Sequence, residues 1–176
     1  MLFRSFKDGF GSRKGDPRIY VLTGCCWIRG IRFGDPDRFV TNWIAHHPQA
    51  TATPVSKMTL MSDELVFVLV KDGDASLNVD LIRAGIYPGG AMADMVDNDD
   101  HLTDVMKKPE LAFATKEFEK GRAETPQEHR PKRFISNDHY QRFSQQVIEA
   151  EKEARAEKRG VWSDAMREER EADGYR

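Results

Sequence analysis

Hydrophobic residues run unbroken from Leu65 to Val70 (Leu-Val-Phe-Val-Leu-Val), between the polar strings Ser62-Asp63-Glu64 and Lys71-Asp72-Gly73-Asp74. An apolar run of this length without alternation predicts a strand buried on both faces. Residues 51–60 read as the strand before it, with Ser62-Asp63-Glu64 as the connection. Asp72-Gly73-Asp74 reads as a turn rather than a calcium loop. Ser76 then stands where a helix cap belongs, ahead of a helix over about 78–84, and Gly85 supplies its left-handed stop. Upstream, Phe39, Val40, Trp43 and Ile44 give the stripe of a helix over 38–47. Asp37, or Asp35 ahead of Pro36, can cap that helix, and Pro48 ends it. Residues 18–33 predict a strand at Ile19-Tyr20-Val21-Leu22, a turn at Thr23-Gly24 and a second strand at Cys25-Cys26-Trp27-Ile28.

The strongest helical period lies in 137–158, where Tyr140, Phe143, Val147, Ala150 and Ala154 share one face. Glu151 and Arg155 are expected to pair at i, i+4 on its wet side. Gly160 stops the helix, and Val161 and Trp162 are expected to fold back and pack. The segment 1–17 reads as irregular, with an edge strand at 2–6. The stretch 86–135 has weak periodicity and several carboxylates, and reads as an insertion of loop and some helix. Residues 165–176 form a charged tail expected to fray. These readings give a core domain over 18–164.

Composition narrows the picture. The 176 residues suffice for one domain with a real core. A net charge of −2 argues against a uniformly basic nucleic-acid binder and leaves room for a local basic patch. The two cysteines, Cys25 and Cys26, are adjacent, which disfavours a bridge between them and gives no zinc spacing. The start of the chain lacks the apolar core of a signal peptide, so the expected location is the cytoplasm. His46-His47 reads as a pair of helix-end surface residues. The mixed run 116–133 reads as a solvated face, with nucleic-acid contact as the second reading.

Two strings point further. Leu77-Asn78-Val79-Asp80-Leu81-Ile82-Arg83-Ala84-Gly85 and Lys158-Arg159-Gly160-Val161-Trp162 resemble the staphylococcal-nuclease-like (thermonuclease) family. The element order, strand, turn, strand, short helix, two strands, helix, long helix and Gly-Val-Trp, is similar to that family's. The resemblance implies an α+β, mainly β fold: a five-stranded OB barrel with about three packed helices, the last one long. It covers 65–85 and 136–164 well, 18–64 fairly, and 87–135 not at all.

In that family one calcium ion, carboxylates and two arginines cut phosphodiesters. The metal generates a nucleophile and the guanidiniums clamp developing charge. Carried over residue by residue, the resemblance puts Gly15-Asp16 on the first acidic motif, with Pro17 replacing a threonine; Asp8-Gly9 is an alternative register. Residues 29–37 fall on the second motif. There Arg29 takes the place of the first arginine and Gly34 that of the metal aspartate, with Asp35 one position late. Asp37 takes the place of the catalytic glutamate, one methylene shorter. Glu64 falls where the second arginine belongs, a charge reversal at a phosphate contact. The catalytic candidates are therefore Arg29 and Asp37, and the metal candidates Asp16 and Asp35. Arg32 is the candidate to replace the missing cation. Losing one preorganised donor costs about 3–4 kcal/mol of transition-state stabilisation. The expectation is a degenerate member that binds single-stranded nucleic acid or a protein or peptide partner. The rival expectation is a calcium-dependent phosphodiesterase.

Overall fold

The computed structural model describes residues 6–7, 10–13, 16–25, 31–60, 63–89 and 132–172, with side chains for 18–25, 31–57, 64–89, 134–136 and 138–172. The strands are β1 (Phe6–Lys7), β2 (Phe10–Arg13), β3 (Asp16–Leu22), β4 (Thr51–Leu60), β5 (Asp63–Asp72), β6 (Ala75–Ser76) and β7 (Lys132–Arg133). The helices are α1 (Pro36–His46), α2 (Leu77–Arg83), α3 (Asn137–Ala156) and α4 (Arg167–Ala172), with 3-10 turns at Gly160–Trp162 and Asp164–Met166. The fold is α+β. Its sheet has four strands longer than two residues, in the order β2-β3-β5-β4. β1 extends one end, β7 the other, and β6 pairs back on β5. Among the described residues the ladder is open from β1 to β7.

β5 is central, as its unbroken apolar run demands. It lies parallel to β3, with Ile19 opposite Leu65 and Leu22 opposite Val68, and antiparallel to β4. All six residues from Leu65 to Val70 are buried. Asp63 and Glu64 belong to this strand rather than to the connecting loop expected for them. A parallel neighbour cannot be reached by a hairpin, so the chain leaves β3, crosses through α1 and returns by β4.

The helices close over the sheet. α1 is capped by Asp35, whose Oδ1 accepts the Arg38 N–H at 3.0 Å, with Pro36 in its first turn. α2 is capped by Ser76 and stopped by Gly85 at φ +70°. α3 buries Tyr140, Phe143, Val147, Ala150 and Ala154, the stripe its period predicts. Each large apolar side chain buried this way contributes roughly 1.5–3 kcal/mol.

Asn78 ties these layers together. Its amide oxygen accepts the Val70 N–H at 2.9 Å, and its nitrogen donates to Thr23 O at 2.7 Å and Val68 O at 2.9 Å. The residue is fully buried. It therefore partners backbone groups at the point where β3 stops at Leu22 while β5 continues to Asp72.

A second junction holds the long helix. Val161 N–H donates to Gly85 O at 2.8 Å, and both Gly85 and Gly160 have positive φ. A Cβ on either glycine would strike the backbone of the other segment. Trp162, folded back as expected, is buried beneath the Arg155 guanidinium, 3.7 Å from its ring centroid.

Several sequence expectations change here. Within the segment 1–17, read as irregular or as an edge strand, backbone pairing places β1 and β2 and starts β3 at Asp16, while residues 1–5 lie outside the described residues. Cys25 makes a single bridge to Gly89, while the rest of the expected second strand lies outside the described residues. Residues 86–89 are buried core rather than insertion, with Ile86 and Tyr87 packed against α3 and the sheet. Residues 90–131, with the acidic stretch and Phe113 and Phe118, lie outside the described residues. Glu151 does pair with Arg155, but it is 4% exposed rather than on the wet face, because its second oxygen accepts the Gly89 N–H at 2.9 Å. The tail does not simply fray. Arg170 of α4 donates to Val161 O at 2.7 Å and lies 5.5 Å from the Trp162 ring centroid.

Asn78→Ala leaves the buried Val70 N–H and Thr23 carbonyl without their amide partner. At about 1–3 kcal/mol for each of these two groups, the expected loss is about 2–6 kcal/mol in urea unfolding. A loss below about 1 kcal/mol would show that the bracket is dispensable.

Candidate functional site

Of the carried-over residues, Arg32, Asp35 and Asp37 lie together on the segment 31–37 that leads into α1. Its first part, 31–35, is docked onto the chain after α2: Phe33 N–H donates to Ile86 O at 2.9 Å, and Ile31 is buried. Arg32, Phe33, Asp35 and Asp37 are exposed. Asp35 spends one carboxylate oxygen capping α1. Asp37 sits in the first turn of the same helix, where the helix dipole favours its charge. Asp16 opens β3, but its side chain and the whole of Arg29 lie outside the described residues.

Tyr87 is the residue that sequence reasoning missed. It is 3% exposed, and its hydroxyl makes no hydrogen bond among the described residues. Burial pushes its phenol well above the usual range, with the Cys25 thiol and Asp37 adding to the rise and Arg32 opposing it. The hydroxyl thus lies within electrostatic reach of Arg32 and Asp37. Nothing in the local pattern around Pro88-Gly89 signals this; it follows from the Phe33–Ile86 docking. Cys25 is buried and its thiol faces Asn78 O at 3.7 Å.

Glu64 is elsewhere, at the start of β5. Its Oε2 accepts from Lys57 Nζ at 2.8 Å. The pair is diagonal across the hairpin, since Lys57 is opposite Val66, two residues beyond Glu64. Hairpin register is the signal that could have found it. The side chains are 42% and 35% exposed, so the pair is screened and contributes little stability.

A calcium ion takes six or more oxygen ligands. The described side chains in this segment offer Asp35 and Asp37, one of them already a helix cap. Among the described residues no three His, Cys, Asp or Glu side chains form a metal-holding group. The described residues therefore do not fit a calcium centre.

His47, expected as a surface residue, stacks on Trp43 with ring centroids 4.1 Å apart and lies 3.7 Å from Asp72. Trp43 Nε1 donates to Asp80 at 2.9 Å, beside an open groove lined by Asp74, Asp80, Arg83 and Gln146. The Asp80 carboxylate is consumed by Trp43 and Arg83, which leaves the groove short of free ligating groups. No described helix is long and apolar enough to cross a membrane.

Comparison with protein-family models, with curated proteins and with solved structures finds no significant match to this chain.

Tyr87 gives a test by pH. Its raised phenol favours the neutral form in the folded state. Its contribution to stability is complete below the unfolded tyrosine value of about 10 and is lost as pH rises above it. Tyr87→Phe is expected to flatten the fall of melting temperature above that pH. It should also stabilise the protein by about 1 kcal/mol at neutral pH, because a buried unsatisfied hydroxyl is removed. An unchanged alkaline slope would show that Tyr87 ionises freely.

Proposed function

We propose that this chain is a staphylococcal-nuclease-like OB domain whose catalytic site is degenerate and which acts as a binding module for nucleic acid or protein. The carrying observation is the Glu64–Lys57 ion pair, 2.8 Å across the β4–β5 hairpin. At the position where the family's second arginine falls, this chain holds a carboxylate already engaged in its own sheet. An arginine there would donate a fork to phosphate; Glu64 repels phosphate and occupies the nearby lysine instead. Efficient phosphodiester cleavage needs charge stabilisation aimed at the transition state, and here one of its two cationic donors is reversed.

The fold part of this reading draws support from element order. Strands β1 to β3, helix α1, strands β4 and β5, helix α2, long helix α3 and the Gly-Val-Trp turn follow one another as the resemblance implies. A five-stranded barrel requires a closing pair beyond the ladder described above.

Labelled single-stranded DNA and RNA, incubated with calcium, magnesium or chelator, distinguish binding from cutting. The expected result is no metal-dependent cleavage by the wild type. Metal-dependent cutting that disappears in Asp37→Ala would overturn the binding reading and restore a calcium-dependent phosphodiesterase.

A further inference from the structure

His47 closes α1 as its C-cap residue, and its backbone is pinned on both sides. Its N–H donates to Ile44 O at 3.1 Å, and its O accepts the Ala50 N–H at 3.0 Å. The ring is therefore placed by the turn of the chain rather than by its own contacts. It lies on the Trp43 indole, with centroids 4.1 Å apart and planes 25° from parallel. Its Nδ1 faces Asp72 Oδ2 at 3.7 Å, too long for a hydrogen bond. A neutral imidazole in this place gains only the stack. An imidazolium in the same place meets three favourable groups: the Asp72 carboxylate, the face of Trp43 and the last carbonyls of α1.

The charged groups around the ring do not oppose that cation. From β5 comes Asp72; Lys71 precedes it, and strand alternation sends its side chain to the other face. From α2 comes Asp80, which accepts from Trp43 Nε1 at 2.9 Å and from Arg83 at 2.8 Å. Arg83 also donates to Glu153 of α3 at 2.8 Å, so two carboxylates occupy it. On α1 itself, His46 turns back to Asn42 O at 2.7 Å. Asp74, in the turn after β5, is exposed.

The geometry points to His47 as a proton-operated latch between α1 and β5: proton uptake on its ring draws the end of α1 onto Asp72. Histidine is the side chain that changes charge between about pH 5 and 8. The His47 and Asp72 side chains are 30% and 26% exposed, so water delivers the proton while screening stays incomplete. The catch is made at the acid end of that range and released as pH rises through it. α1 is a single helix of 11 residues, capped at its start by Asp35. The latch therefore holds the far end of the element that positions Asp35 and Asp37. The Trp43–Asp80 bond carries the same hold to α2. The latch stands apart from the binding-module reading and survives or fails without it.

The test reads tryptophan fluorescence and melting temperature of the whole chain between about pH 8 and about pH 5, the range in which histidine changes charge. An imidazolium stacked on an indole quenches its emission strongly, and a neutral imidazole weakly. The chain holds three tryptophans, so the response of Trp43 is read as the difference between the wild type and His47→Gln, which takes no proton. That difference is expected to grow as pH falls through the histidine range. His47→Gln is also expected to lower the melting temperature by about 2–4 °C more at the acid end than at the alkaline end. Asp72→Asn is expected to remove most of that pH dependence. His46→Gln, one residue away, is the control and leaves both readouts at their wild-type values. A fluorescence difference that is flat across the range overturns the latch, as does an equal cost of His47→Gln at both ends. A pH dependence that survives Asp72→Asn overturns Asp72 as the catch, and one lost in His46→Gln assigns the proton to the neighbouring ring and overturns the latch as well.

Discussion

The fold depends on how β3 and β5 are joined at the end where α2 begins. β3 stops opposite Val68 while β5 continues to Asp72, so backbone groups beyond the last parallel pair face a dry interior. Asn78 satisfies them with three bonds from one buried amide. Because Asn78 is also in the first turn of α2, the bracket fixes the angle at which that helix leaves the sheet. α2 then carries Gly85 to the place where Gly160 crosses it, and the crossing seats the Val161–Trp162 corner. Glu151 closes the loop by holding Gly89 from α3. One side-chain amide and two glycines thus link sheet, short helix and long helix. None of these contacts is hydrophobic, although each works only because the surrounding core excludes water.

This explains why some of the architecture could be read from the chain and some could not. The hydrophobic pattern reports which face of an element is buried, so the Val40–Trp43 side of α1, the Leu65–Val70 strand and the stripe of α3 were legible, although Ile44, read into the stripe of α1, is exposed. Asp35 and Ser76 were legible as caps because capping is local. The burial of Glu151 was not, since its partner Gly89 is supplied by a segment 62 residues away. The same holds for Asn78: the string containing it was noticed, but its work is done on residues in two other strands. The early strands β1 and β2 were missed because Gly-rich, charged segments carry no alternation, and pairing with β3 overrides weak propensity.

The candidate site divides the same way. Asp35 and Asp37 were found by motif, and the structure makes Asp35 the cap of α1 and places Asp37 in its first turn. Glu64 was found as a departure from a pattern, and its partner Lys57 follows from hairpin geometry. Tyr87 carried no signal, because its environment is assembled from Cys25, Arg32 and Asp37 on other segments. Residues whose roles are set by chain neighbours are legible; residues whose roles are set by tertiary docking are not.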